Sequence, residues 1–161
     1  MAMRVLLLNA NTTASMTGRF GASYISTRAA AAIAGHAALD LLASEVGTAN
    51  PRGYGAVGLA CFGDPGLLAL KELSPIPVVG MAEASLTLAA QLGGRIGIVT
   101  GGERWVPMLR ELAQLLGLDG RVAALRATSL TGAQVAADPA AAEDAIAALA
   151  RACVDEDGAD A

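Results

Sequence analysis

Cys61 lies in the segment Ala60-Cys61-Phe62-Gly63-Asp64-Pro65-Gly66, where a thiol follows an apolar run and precedes a turn marked by glycine and proline. A cysteine at a strand end, just before a capped helix, is expected to have a lowered thiol pKa and an enlarged thiolate fraction. The competing reading is a buried core cysteine acting as a small hydrophobe. On the residue alone the two stand level, and the Gly-Asp-Pro-Gly turn behind it favours chemistry. Two other segments carry polar groups at comparable places. They are Asn9 with Asn11 and Thr12, and Thr100 with Gly101 and Gly102. Each follows an apolar run and leads toward a helix start. Free backbone N–H groups and the helix dipole favour an anion there, and glycines let a ligand approach the backbone closely. The expected ligand is small and anionic, such as a carboxylate.

Other candidates point away from chemistry. Cys153 falls in the apolar stripe of a helix with Ile146, Leu149 and Ala150, and reads as core packing. His36 is the only histidine and sits in an alanine-rich helix, so a Cys-His hydrolase has little support. Glu83 in a first helical turn complements the dipole. Arg104 reads equally as an anion ligand or a solvated helix position. No cluster of His, Cys, Asp and Glu has ligand spacing, so no metal is expected. No G-x-G-x-x-G stands between a strand and a helix, since Gly53-Tyr54-Gly55-Ala56-Val57-Gly58 runs into a strand, and no phosphate-binding P-loop is present, which argues against nucleotides. No cofactor is expected.

The elements that must position these residues alternate. Arg4–Leu8, Ala56–Ala60, Pro75–Gly80, Arg95–Val99 and Val122–Leu125 read as strands, the short apolar runs being buried on both faces. A short helix after Asn9-Ala10-Asn11-Thr12-Thr13 is interrupted by Gly18 and Gly21. Further helices are expected over about 25–43, 67–73, 81–92, 105–116 and 139–154. Asp64-Pro65 reads as the cap and first turn of the helix over 67–73. Alternation of this kind predicts an α/β fold with a mainly parallel sheet. Arg4-Val5-Leu6-Leu7-Leu8-Asn9 and Arg95-Ile96-Gly97-Ile98-Val99-Thr100 share one pattern: a basic residue, an apolar strand, a polar side chain. Two related βα halves are expected, over 1–93 and 94–161.

Composition narrows the class further. The chain has 161 residues, 54% of them hydrophobic and 16% charged. That balance excludes a disordered chain. No apolar run approaches the roughly 20 residues of a membrane span. The net charge of −4 is matched by Asp155, Glu156, Asp157 and Asp160, which read as a solvated tail. One lysine and scattered arginines make no nucleic-acid footprint. Two cysteines make no disulfide framework, and no leader is expected before Met3. The expectation is a reduced, cytoplasmic protein without nucleic-acid or membrane partners, and exposed Ala/Leu helices suggest a homo-oligomer.

Asn9-Ala10-Asn11-Thr12-Thr13, Ala60-Cys61-Phe62-Gly63-Asp64-Pro65-Gly66, Val79-Gly80-Met81-Ala82-Glu83-Ala84 and Val99-Thr100-Gly101-Gly102 together resemble the Asp/Glu/hydantoin racemase superfamily, in its hydantoin and allantoin racemase branch. The resemblance runs in order over nearly the whole chain. It implies two pseudo-symmetric α/β halves and cofactor-independent proton transfer by two cysteines on opposite faces of a substrate carbon. On that resemblance Cys61 is the first base. Asn9, Asn11, the Phe62 and Gly63 amides, Thr100 and Gly101 would hold a carboxylate or ring carbonyl and stabilise the enolate. The sequence departs from the family pattern at two places. No strand fits between Thr17 and Gly21, and Asp160-Ala161 falls where the strand before the second cysteine would begin. The chain thus resembles a member lacking an internal stretch and the C-terminal part, with the second half incomplete.

Three functions follow. The first is a racemase acting on a small carboxylate, amino acid or hydantoin-type substrate. The second is a single-cysteine decarboxylase of the same fold. The third is a non-catalytic binder of small carboxylates, with Cys61 as packing.

Overall fold

The structure is a computed structural model and describes residues 3–9, 25–130, 134 and 137–161. Asn11, Thr12 and the short helix expected after them lie outside the described residues. Contacts divide the chain into two compact units, Met1–Ala84 and Ser85–Ala161.

In the first unit, β1 (Val5–Leu8), β2 (Ala56–Leu59) and β3 (Val78–Gly80) form a parallel sheet in that order. Parallel neighbours need a crossover, and helices supply it. These are α1 (Arg28–Glu45) between β1 and β2, and α2 (Leu67–Leu73) between β2 and β3. Helix α1 begins three residues beyond the Ile25 of the Ile25–Ala43 expectation because Thr27, an extended residue, caps it. The Thr27 hydroxyl accepts the Ala30 N–H at 3.1 Å, satisfying one of the orphan donors of the first turn. Leu8, Val57, Leu59 and Val78 pack against Ala38 and Leu42 of α1, Val46 beyond it, and Leu67 and Leu70 of α2.

The expectation that β1 is buried on both faces is corrected. Leu8 is 2% exposed, but Leu7 is 67% and Val5 52% exposed. Among the described strands β1 lies at the sheet edge, and the α1/α2 core packs on the side chains that alternate with these two. Strand β3 is also shorter than expected: Pro75 and Pro77 precede its ladder, where they withhold no sheet donor.

The division between the units falls within α3 (Met81–Leu92). The second unit holds β4 (Ile96–Gly101) and β5 (Val122–Thr128), paired in parallel across α4 (Trp105–Leu115). Helix α5 (Pro139–Asp155) packs on both strands. The α4 side chains Trp105, Leu109, Leu112 and Ala113 are buried, at helical spacing. Strand β5 runs three residues past the Leu125 expected from sequence. Arg126 interrupts the apolar run, yet it pairs with Asp157 at 2.6 Å and Glu156 at 2.8 Å, and the ladder continues to Thr128. Arg121 donates to the carbonyls of Ala90, Gly93 and Gly94, which places a cation on the C-terminal end of α3.

The acidic stretch at the end of α5 is solvated as expected, with Asp155, Glu156 and Asp160 exposed, but it is tied to the fold rather than a free tail. Ala159 is buried, and Asp160 Oδ1 accepts the Arg95 N–H at 2.7 Å. The Arg95 guanidinium donates to the carbonyls of Asp157 and Gly158. Ala161 N–H donates to Arg95 O while Gly97 N–H donates to Ala161 O, the exchange of a parallel bridge beside Ile96. Among the described residues no helix is long and apolar enough to cross a membrane.

Candidate active site

Leu8 faces Leu59 in the β1–β2 ladder, and the Ala60 N–H donates to Leu8 O at 2.8 Å. Asn9 and Cys61 therefore leave the sheet at the same carboxyl edge, where open parallel sheets bind ligands. Asn9 is half-buried and Cys61 is 8% exposed. Beyond Cys61 the chain turns sharply. Asp64 N–H donates to Cys61 O at 3.0 Å, Leu67 N–H donates to Asp64 O at 3.1 Å, and Asp64 itself has φ +48°. A left-handed aspartate is uncommon, so this loop holds a conformation that its surroundings must enforce. Phe62 and Gly63 are half-buried within it.

What enforces it is Asp64. Its carboxylate is 5% exposed and accepts two N–H groups of α3, from Ala82 at 3.1 Å and from Glu83 at 2.7 Å. The expectation that Asp64 caps α2 is thus corrected. The N-cap of α2 is Gly66, without a side-chain bond, and the Asp64 side chain serves a helix that starts 17 residues further along. The geometry amounts to a split capping box. Gly80 precedes α3 and has no side chain to cap it. Glu83 reaches back to the Gly80 N–H at 3.3 Å, and Asp64 provides the missing acceptor. Glu83 also pairs with Lys71 of α2. Gly80, Glu83 and Lys71 were not read from sequence as parts of the Cys61 site. The available signal was Glu83 three residues after a glycine at a helix start.

The electrostatics of Cys61 reverse the sequence expectation. Burial, and then the Asp64 carboxylate, push its thiol up to about 11. The start of α2 lies six residues beyond Cys61, with an acidic side chain between them. Desolvation and a like charge therefore prevail over any helix-dipole effect. Burial also pushes the Asp64 carboxyl above its ordinary value, against the pull of the Glu83 and Ala82 amides. Near neutral pH this is a thiol, able to donate a proton, rather than a standing thiolate.

Thr100 and Gly101 belong to β4 itself, opposite Ala127 and Thr128, rather than following the strand. Gly102 has φ +85° and donates to Thr128 O at 3.2 Å. Thr100, Gly101 and Gly102 form the carboxyl end of the first strand of the second unit, as Asn9 does in the first. Cys153 is buried on α5, its thiol pushed up chiefly by burial. His36 is exposed on α1 and lies 3.6 Å from Asp40, and Arg104 is exposed.

Comparison with known proteins accords with this fold. The family model described as Asp/Glu/hydantoin racemase matches residues 11–161. A hydantoin racemase of Pseudomonas sp. (strain NS671) is 36% identical over 73% of this chain and 47% of its own length. A hydantoin racemase of Rhizobium meliloti is 29% identical over 99% of this chain and 73% of its own. Among solved structures, an allantoin racemase from Klebsiella pneumoniae superposes with a TM-score of 0.88 at 28% identity, over 98% of this chain and 71% of that one. An allantoin racemase from Pseudomonas fluorescens does so with the same score at 31% identity, over 98% and 74%. The chain spans about half to three quarters of the length of these relatives, and it belongs to the Asp/Glu/hydantoin racemase family.

Proposed function

We propose that this chain carries the proton-donating half of a cofactor-independent racemase, acting at the α-carbon of a small carboxylate, amino acid or hydantoin-type substrate. The observation that carries the reading is Cys61: a buried thiol, held protonated, at the carboxyl edge of a parallel sheet next to Asn9. A base removes the α-proton and leaves an enolate. The Cys61 S–H bond then breaks, its proton goes to the α-carbon on the facing side, and a thiolate remains. Asn9, Asn11 and the Phe62 and Gly63 amides are proposed to hold the carboxylate or ring carbonyl, where they stabilise the developing oxyanion. Thr100 and Gly101 are proposed to do the same for the second unit. The names of the relatives, hydantoin racemase and allantoin racemase, support the substrate class. A reduced cytoplasmic setting belongs to the same reading.

The test uses a single enantiomer of a hydantoin or of allantoin in deuterated water, following deuterium uptake and optical rotation together. Deuterium uptake at the α-carbon is expected, lost by about 10²–10⁴-fold in Cys61→Ala. Uptake that is equal in Cys61→Ala overturns the assignment. One observation favours a second reading. A decarboxylase needs only one thiol to protonate the enolate left by departing carbon dioxide, and Cys61 is such a thiol. Release of carbon dioxide from a small dicarboxylate, dependent on Cys61 and without racemisation, would select that reading.

A further inference from the structure

We propose that Asp64 is the positioning residue of the Cys61 site, its carboxylate occupying the space of the absent Gly80 side chain and tying the Cys61 loop to the first turn of α3. The inference rests on the reading of Cys61 as proton donor. Three observations meet at this point. Asp64 is 5% exposed and left-handed, so an ordinary surface turn does not explain it. Its two carboxylate oxygens face different backbone donors, Oδ1 to Ala82 and Oδ2 to Glu83, with the Met81 N–H adding to them, so the orientation of the group is fixed. A Cβ on Gly80 would overlap that carboxyl group, so the cap position of α3 is vacant in order to receive it.

A cap supplied by the residue next to the helix would leave the Cys61 loop alone. A cap supplied from three residues beyond Cys61 makes the loop part of the α3 start. The same carboxylate adds its negative charge beside the thiol and disfavours the thiolate. Asp64 therefore fixes where the sulfur stands and adds to the burial that keeps the proton on it until an enolate is there to take it. Among the described residues, the ionisable groups around Asp64 are Cys61 in its own loop, Glu83 on α3 and, through Glu83, Lys71 on α2. Strand β3 meets the Asp64 carboxyl at Gly80, and α1 meets the loop with Gly35, neither of which is ionisable.

The experiment separates a cap from a positioning group. The Cys61 titration is read as thiolate ultraviolet absorbance against pH, each variant being compared with its own Cys61→Ala counterpart so that Cys153 cancels. Thermal stability is read alongside. Asp64→Asn is expected to lower the Cys61 midpoint and to raise the thiolate fraction near pH 8 by about threefold to tenfold. Asp64→Ala combined with Gly80→Ser restores a local cap in the space that the carboxylate leaves. This double variant is expected to regain most of the melting temperature lost in Asp64→Ala while its Cys61 midpoint stays low. Gly80→Ala, with Asp64 intact, is expected to expel the carboxylate and shift the midpoint the same way. Should Asp64→Asn fail to fold, these two variants decide the matter. A midpoint that returns together with stability in the double variant, or that never moves, overturns the proposal and leaves Asp64 a cap. Because the readout needs no substrate, it stands apart from the deuterium test, and either result can fail without the other.

Discussion

Gly35 and Gly66 touch through their backbones: a Cβ on Gly66 would stand 2.9 Å from Gly35 Cα and 3.2 Å from Gly35 O. Helix α1 is thereby pressed directly against the turn that follows Cys61. Gly66 also has φ +80°, where a side chain is strained whatever the space. Both obstacles are backbone, so no rotamer relieves them. Gly66→Ala should lose about 2–4 kcal/mol, combining left-handed strain with overlap. Gly35→Ala should lose less, because its Cβ would meet Gly66 at 3.1 Å and alanine recovers about 1 kcal/mol of helix propensity. Urea denaturation of both variants checks the order. Equal losses, or a Gly66→Ala variant as stable as the parent, would refute it.

The Cys61 thiol predicts an alkaline weakness. Its folded value, about 11, is raised above the ordinary 9.0. The folded state therefore holds the proton more tightly than the unfolded state does. That stabilisation is complete below about pH 9 and is lost as pH rises toward about 11, amounting to as much as roughly 3 kcal/mol. Stability measured at about pH 8 and again at about pH 10.5 should fall more in the parent than in Cys61→Ala. Cys153, whose thiol is raised too, remains in both proteins and cancels in the comparison. Parallel pH profiles would count against the burial of the Cys61 thiol.

In the second unit the tight contact lies between β4 and α5. A Cβ on Gly97 would stand 2.8 Å from Cys153 Cβ, 3.1 Å from Ala159 Cβ and 3.4 Å from Cys153 Sγ. Gly97→Ala should therefore lose about 1–3 kcal/mol by overpacking. Adding Cys153→Ala should not restore it, because the closest atom is the Cβ, which alanine keeps. Thermal denaturation of the single and double variants tests this. Full recovery in the double variant would mean that the sulfur, and not the helix backbone, sets the distance.

The order of strands and helices was legible from local pattern, and α2 was read to the residue, because apolar runs and Gly/Pro punctuation are local signals. What failed was long-range. Asp64-Pro65 looks like a cap for the helix immediately after it, and nothing local reveals that the carboxylate serves Ala82 and Glu83 instead. The Cys61 thiol escapes a local reading for the same reason: its strand-end position before a turn is local, whereas its burial and the seating of Asp64 are tertiary. Leu7 shows a different limit. An apolar run gives a strand, but not whether its second face is covered. Arg126 and Asp160 illustrate the converse: the strand expected from sequence stops at Leu125, just before Arg126, and Asp160 reads as part of a solvated tail, yet both are tied into the fold by partners 30 or more residues away.

Arg126 predicts an acid response. It projects from β5 and pairs with Asp157 Oδ2 at 2.6 Å and Glu156 Oε2 at 2.8 Å, beyond the end of α5. The hydrogen bond to Arg126 holds the Asp157 carboxyl below its ordinary 3.8. A depressed carboxyl contributes stability that is present above its unfolded value and is lost as pH falls through its folded value. The parent should therefore lose stability below about pH 4 more steeply than Arg126→Ala, in which Asp157 keeps only the field of Arg95. Both ends of the pair reach solvent, so the difference should shrink as salt rises and screens it. Arg126→Lys should recover only part of it, because an ammonium cannot reach Asp157 and Glu156 with the fixed two-pronged geometry of a guanidinium. Acid denaturation of the three proteins at low and high salt decides the matter. An acid slope that is unchanged in Arg126→Ala at low salt would show that the pair contributes nothing to holding α5 against β5.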